Sequence, residues 1–513
     1  MRYCCKPTAN LQQFRTTANS QSDESPRTFA DMLEGSEQIE QFIDRMGQHF
    51  PHVPTPGQGQ LIHALARFFF STQPRCTLMI RGYAGTGKTT SVGALVGVLR
   101  QYGQRPVLLA PTGRAAKVMQ SYAKMSASTI HRHIYRTGKS GDGSPAFGLA
   151  PNTRENTVFI VDEASMIGEG GGRSTDGTLN FRSLLDDLME FVFSGNGCRL
   201  VLVGDDAQLP PVGETESPAL NEANMRRDFA LTVATIRLTD VVRQEMDSGI
   251  LSNAHQLRLQ IDAGLEMRPS FTLNAGSDVH RISGYELQEY IEDAFGRHGE
   301  DHVALITRSN KRAQAFNQQI RHRILWREEL LEPGDRLMVV KNNYHWLAGI
   351  DAIPTSLVAN GDVVVVTKVI KRFDRYGIEF ANVEVEFAED NGWPAFEVCI
   401  NLSVLASDLP SIPFAQVQAL QEAVAQDYLD HGSKSAILKA VKRDPCYQAL
   451  QVKFAWSMTC HKAQGGQWAS VIIDPGFVTD ETMNLEWLRW LYTAFTRAQT
   501  ELALLNFADE FFE

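Results

Sequence analysis

The run Gly82-Tyr83-Ala84-Gly85-Thr86-Gly87-Lys88-Thr89 carries the glycine spacing and the Lys-Thr pair of a phosphate-binding loop. Glycines let backbone N–H groups turn inward around phosphate oxygens, and the helix that follows adds the partial positive charge of its first turn. Lys88 can neutralise the outer phosphate oxygens, and Thr89 can offer a hydroxyl to magnesium. Gly82, Gly85, Thr86, Gly87, Lys88, Thr89 and Thr90 are therefore the candidate residues for ATP. Further along, Val161-Asp162-Glu163 closes an apolar run. There Asp162 suits a magnesium ion held through water, and Glu163 suits the polarising of an attacking water. An Asp-Glu pair after a strand also serves as a plain helix cap. Beside a phosphate loop, the catalytic use is the expectation.

Such residues must be held at the carboxyl ends of parallel strands. From about Pro54 to Gln244, short β-branched runs alternate with helical patterns, with strands expected at Cys76–Ile80, Pro106–Ala110, Thr157–Val161 and Arg199–Val203. A second set, Val303–Ile306, Lys453–Met458, Val471–Asp474 and Glu501–Leu505, reads as another α/β sheet. It is interrupted by a β-rich insertion with strands at Val363–Ile370, Val383–Phe387 and Phe396–Ile400, a pattern that suggests a small barrel. Residues 1–36 are polar and aperiodic and read as a disordered extension; Arg2, Lys6 and Arg15 without acids leave a transit peptide open. The Gly-rich stretch Glu169–Gly177 reads as a mobile loop.

The chain of 513 residues, 43% hydrophobic and 21% charged, can bury several cores. A net charge of −11 argues against a protein that coats nucleic acid through overall basicity, so such contact would need a locally basic groove. Seven scattered cysteines without a Cys-x-x-Cys pair point to a reducing cytoplasm rather than a metal framework. No apolar run suggests a membrane span.

Collinear with the phosphate loop stand further segments that together resemble helicase superfamily 1, in its RecD/Dda-like branch. Gln58 resembles the glutamine that reads adenine, with Gln60 as a substitute. Ala110-Pro111-Thr112-Gly113-Arg114 and Ser128-Thr129-Ile130-His131 are similar to the DNA-gripping motifs Ia and Ib. Gly204-Asp205-Asp206-Ala207-Gln208-Leu209-Pro210-Pro211-Val212 resembles motif III, with Gln208 the implied γ-phosphate sensor. Arg243 stands where motif IV carries an arginine that reaches the same phosphate. Thr307-Arg308-Ser309-Asn310 and Ser457 to Gly465 are similar to the later motifs, implying Thr307, Asn310, Thr459 and His461 for DNA, and Gln464 and Gly465 for ATP. Ala463 departs from the serine of many relatives. Leu491-Tyr492-Thr493-Ala494-Phe495-Thr496-Arg497-Ala498 resembles motif VI, with Arg497 as an arginine finger.

The resemblance implies two RecA-like P-loop domains, at 37–245 and at 246–330 with 451–513. It also implies a β-hairpin insert near 134–156 and the barrel insert with a helical connection at 331–450. Expected partners are single-stranded DNA and duplex junctions, expected cofactors ATP and magnesium, and the expected state a cytoplasmic monomer in replication, repair or recombination. Implied travel is 5′-to-3′. An RNA or RNA–DNA helicase remains open, since backbone grips do not distinguish sugars. So does an ATPase or DNA-binding subunit without unwinding of its own. Phe147, in the expected hairpin, either stacks on a base at the fork or packs the hairpin down.

Overall fold

A computed structural model of the chain describes residues 29–139, 145–169, 183–240, 248–273, 278–350, 352–353, 357–388 and 392–512. Two parallel sheets form the frame. The first runs in the order Ala127–Thr129, Val107–Ala110, Val158–Val161, Arg199–Gly204, Cys76–Gly82 and Thr232–Leu238. Its central strands are apolar and buried on both faces, as helices on either side of a parallel sheet require. The edge strand Thr232–Leu238 has no explicit counterpart among the expected strands. Its exposed Thr232, Ala234 and Arg237 break the apolar run that marks the others.

The second sheet has the order Ser457–Thr459, Val303–Thr307, Trp468–Asp474, Ala498–Leu505 and Val279–Ile282, again all parallel. Here one expected strand divides. Within Lys453–Met458, the first part belongs to Val452–Phe454, which pairs antiparallel with Arg336–Val339, and only Ser457–Thr459 joins the second sheet. The whole run is buried, so its side chains carry no alternation that could mark the change of sheet.

Between these parts lies a five-stranded antiparallel sheet ordered Phe396–Asn401, Ile378–Phe387, Val363–Arg375, Arg336–Val339 and Val452–Phe454. A bridge from Ile400 to Leu450 links the outermost strand to the segment just before the opposite edge. Tyr135–Lys139 and Pro145–Leu149 form a separate antiparallel pair, whose connection lies outside the described residues.

The expectation of disorder over 1–36 is corrected in part: a helix starts at Phe29 and runs to His49. Phe42 and Met46, one turn apart on one face, are fully buried, and Phe42 stacks on Phe69 at 5.3 Å. That face anchors the helix on the first sheet's helical layer. Most of the Gly-rich stretch 169–177 falls outside the described residues. No described helix is long and apolar enough to cross a membrane.

Candidate functional site

The buried strand Cys76–Gly82 delivers the chain into the phosphate loop, and the helix Lys88–Gln101 leaves it. Gly85 and Gly87 adopt φ of 74° and 81°, the left-handed region that side chains rarely enter. Thr86 is buried, and its hydroxyl donates to the Tyr83 carbonyl at 2.8 Å. Lys88 Nζ donates to the carbonyls of Gly82 (2.5 Å) and Tyr83 (2.9 Å) and lies 3.9 Å from Asp205 Oδ2. Thr89 is exposed and Thr90 half-buried on the helix's first turn.

Gln58 is fully buried, and both ends of its amide are engaged. Oε1 accepts from Thr55 N at 3.0 Å in a capping box, while Nε2 donates to the Thr86 carbonyl at 3.2 Å. It ties the preceding helix to the phosphate loop, with its donor and acceptor spent on backbone rather than presented to a base. Gln60 is exposed.

Asp162 and Glu163 follow the buried strand Val158–Val161. The Tyr122 hydroxyl donates to Asp162 Oδ2 at 2.5 Å, and the Glu163 amide donates to Oδ1 at 2.8 Å. Burial, and then the neighbouring Glu163 carboxylate, push the Asp162 carboxyl above the usual carboxylate range. Glu163 holds φ of 51°, a strained value that turns its side chain out of the strand line. Its Oε1 stands 3.6 Å from Arg497 Nη1, which arrives from the other parallel-sheet unit. Arg497 is 3% exposed, with Nε on the Thr493 carbonyl at 3.1 Å and Nη1 on the Gly466 carbonyl at 3.3 Å.

A second bridge crosses the same cleft. The Tyr492 hydroxyl accepts from the Ala84 amide at 3.0 Å and donates to Asp205 Oδ2 at 2.7 Å. Beside it, Leu209 N donates to Thr493 Oγ1 at 2.9 Å, and Gln464 Nε2 donates to the Leu209 carbonyl at 2.7 Å. Burial raises the Asp205 carboxyl despite Lys88 nearby. Gln208 is buried in this loop, and its Oε1 has no hydrogen-bond partner, an acceptor left open at the cleft. Arg243 lies outside the described residues.

The residues expected to hold DNA lie at the strand ends of both units, with Thr129 and Thr307 buried. On the first unit, half-buried Pro111 precedes Thr112, whose hydroxyl caps the helix Gly113–Ala123 through the Ala115 amide. Arg114 lies over the Trp468 ring at 4.5 Å. Thr129 likewise caps the next helix through the Arg132 amide. His131 is pushed down to about 4 by burial, against the weaker pull of Asp187, so it is neutral at pH 7. On the second unit, Thr307 and Thr459 sit side by side at strand ends, and Thr307 donates to the Ser309 carbonyl at 3.0 Å. Asn310 accepts from Lys462 at 3.3 Å, and burial holds Lys462 down to about 8 and His461 below its ordinary value.

Gly465, expected at ATP, packs closely against Thr112 and Ala115 of the first unit. A Cβ there would stand 2.7 Å from Ala115 Cβ and 3.1 Å from Thr112 Oγ1, so glycine permits the close approach of the two units. Phe147 falls within the strand Pro145–Leu149, opposite Thr137, rather than at a hairpin tip. The connection 140–144 lies outside the described residues. The insert reaches this face too: Arg132 pairs with Asp362 at 2.6 Å, and any side chain at Gly113 would meet Asp362.

Sequence reasoning assigned no role to Tyr122, Asp205, Tyr492 or Thr493. Their phenol, carboxylate and hydroxyl groups were visible, but their partners become neighbours only in the folded chain.

An AAA domain model matches residues 55–268, and a UvrD-like helicase C-terminal domain model matches residues 454–505. The chain is 33% identical over 180 residues to the ATP-dependent RecD2 DNA helicase of Deinococcus radiodurans, a match covering 35% of this chain and 21% of that protein. It is 30% identical over 143 residues to the ATP-dependent DNA helicase dda of Enterobacteria phage T4, covering 27% of this chain and 29% of that one. The matched segments thus span about a fifth to three tenths of these relatives' own lengths. Among solved structures, a Pif1 helicase from Bacteroides in complex with ADP-AlF3 and ssDNA aligns over 89% of this chain and 93% of its own, at 14% identity and a TM-score of 0.43.

Proposed function

We propose that this chain, parts of which match an AAA domain, a UvrD-like helicase C-terminal domain and segments of RecD2 and dda DNA helicases, hydrolyses ATP to move 5′-to-3′ along single-stranded DNA and part the duplex ahead. The observation that carries this reading is the Glu163–Arg497 approach at 3.6 Å. It sets a base for water and a cation for transition-state charge on opposite walls of one cleft.

ATP entering the cleft takes its phosphates to the loop amides, to Lys88 and to the side-chain amide of Gln208, which would donate through Nε2. Lys88 must then exchange its two loop carbonyls for phosphate oxygens, and Arg497 turns from Glu163 towards the γ-phosphate. Glu163, released, orients the attacking water. Arg243 is proposed as a second cation for the same phosphate. Thr89 and Asp162 offer only oxygen donors, a hydroxyl and a carboxylate, which suits magnesium. The ion would neutralise phosphate charge there. Gln58 acts in this scheme by fixing the phosphate loop.

The two parallel-sheet units, 37–245 and 246–330 with the C-terminal part from about 456, are proposed as the two motor domains. The antiparallel sheet between them is read as a barrel insert, and Tyr135–Lys139 with Pro145–Leu149 as a strand-separating insert that includes Phe147. Cleft closure by ATP and opening after hydrolysis shift one DNA grip against the other. Each base-pair step parted costs about 1.4 kcal/mol. The proposed setting is a monomer acting in DNA replication, repair or recombination.

The purified chain with ATP and magnesium should unwind a duplex bearing a 5′ single-stranded tail and leave one with a 3′ tail intact. Preference for the 3′ tail overturns the polarity. DNA-stimulated hydrolysis without strand separation would favour the role of a subunit, and unwinding confined to RNA tails would favour the RNA reading.

A further inference from the structure

Three neighbouring strands of the second sheet end at one level: Thr307 lies beside Thr459 on one side and Asp474 on the other. With strands about 4.8 Å apart, the row from Thr459 to Asp474 spans about 10 Å. Its first two members belong to the proposed DNA grip. Immediately past the third, the chain turns through Pro475 and Gly476, the latter at φ of 66°, and presents Phe477 with 87% of its surface exposed.

The exposure is imposed by a held loop. Pro475 is buried before it, and Val478 packs on the core after it. The turn also rests on Arg312, since a Cβ on Gly476 would lie 3.7 Å from Arg312 Cδ. Arg312 Nη2 in turn donates to Asp474 Oδ1 at 2.6 Å. Arg312 occupies the first turn of the helix that starts at Asn310, and Asn310 is bonded to Lys462. Through Arg312, Phe477 thus adjoins the half-buried Asn310 and Lys462, beneath which Thr307 is buried. Tyr285 and Trp326 are also exposed, but they lie beyond the far edge strand and near the start of the insert.

We propose that Phe477 is a base-stacking platform for single-stranded DNA, at the end of the second unit's grip that lies beside Asp474. The named grip residues offer hydroxyls, an amide and a cation, chemistry that suits sugar and phosphate. None of them provides a flat apolar face. An exposed phenyl ring at this place offers a flat face on which a nucleobase can stack whatever its sequence. A stacked base would also resist backward slipping while the first unit resets its hold.

The proposal rests on the helicase reading, and the test separates the two. Binding of a labelled oligo-dT and of an abasic chain of equal length is measured for the unsubstituted protein and for Phe477→Ala. The unsubstituted protein should prefer oligo-dT. Phe477→Ala should bind oligo-dT about tenfold more weakly, about 1.4 kcal/mol and near the low end of a base–aromatic stack. Its affinity for the abasic chain, salt slope and melting temperature should be unchanged, because no phosphate contact or core packing is lost. Phe477→Trp should restore the preference and show indole fluorescence quenched by oligo-dT alone. An unchanged oligo-dT preference in Phe477→Ala overturns the assignment while the helicase reading stands. Full retention by Phe477→Leu does the same, since it would make the contact merely apolar. Failure of the unsubstituted protein to bind either chain overturns the helicase reading itself.

Discussion

The two working faces of the molecule are built from different materials. In the nucleotide cleft, side chains reach one another across the two sheet units: Arg497 to Glu163, Tyr492 to Ala84 and Asp205, Gln464 to the Leu209 carbonyl. On the nucleic-acid face, Thr112 and Thr129 spend their hydroxyls on capping helices, and His131 is buried and neutral. The cleft must place charge at points where a reaction develops charge, and charge comes from long ionisable side chains. The proposed face would have to grip a repeating backbone, and the amides of helix starts can share that task with the cations Arg114 and Lys462. Substitutions in the cleft should therefore act on rate, whereas those on the face should act on grip and stability.

The sharpest way to break that contrast is to remove the cleft's charges. Lys88→Ala and Glu163→Gln should each lower DNA-stimulated kcat by at least about 10³-fold while the melting temperature moves little. Near-normal turnover in either would dissolve the assignment of the cleft. Arg497→Lys keeps a cation but loses the planar fork, and should lower kcat by about 10²–10³-fold with a smaller change in KM. An effect on KM alone would place Arg497 in binding rather than in the transition state.

A finer instrument is the Tyr492 hydroxyl. Tyr492→Phe keeps the buried ring and deletes the hydroxyl that bridges the Ala84 amide and Asp205. Both the Ala84 amide and the Asp205 carboxylate then lose a partner, a cost of about 1–3 kcal/mol. If the bridge transmits cleft closure, kcat should fall about tenfold, and strand separation per ATP hydrolysed should fall as well. A purely structural hydroxyl would lower the melting temperature and leave the ratio of unwinding to hydrolysis unchanged.

The same division governs what could be read from the residues alone. Glycine spacing around Lys88, the Asp162-Glu163 pair and the strands that carry them are local patterns, and the folded chain places them as expected. Partnership is not local. Tyr122, near the end of the helix Gly113–Ala123, meets Asp162 across 40 residues of chain, and Tyr492 meets Ala84 across a chain separation of 408 residues. No periodicity encodes either contact. Gln58 is similar: its amide bonds Thr55 N and the Thr86 carbonyl, and the second of these contacts could not be read from its motif. The split of Lys453–Met458 between two sheets was illegible because both sheets bury that segment.

The smallest expected effect tests whether His131 stays uncharged on the proposed nucleic-acid face. Burial holds His131 at about 4, below the ordinary 6.5 of an unfolded histidine, while Asp187 pulls weakly the other way. As pH falls through 6.5 the unfolded chain takes up a proton there that the folded chain refuses. Stability is therefore lost progressively from about pH 6.5 down to about 4, below which both forms are protonated. His131→Gln removes that penalty. Relative to the unsubstituted protein, the variant should gain about 2–4 °C in melting temperature between pH 7 and pH 5. Its single-stranded DNA affinity should show the same pH dependence as the unsubstituted protein between pH 6 and 8, because a neutral ring carries no charge to lose. If affinity instead rises on acidification only when His131 is present, the imidazolium forms against phosphate. The face would then use charge just as the cleft does.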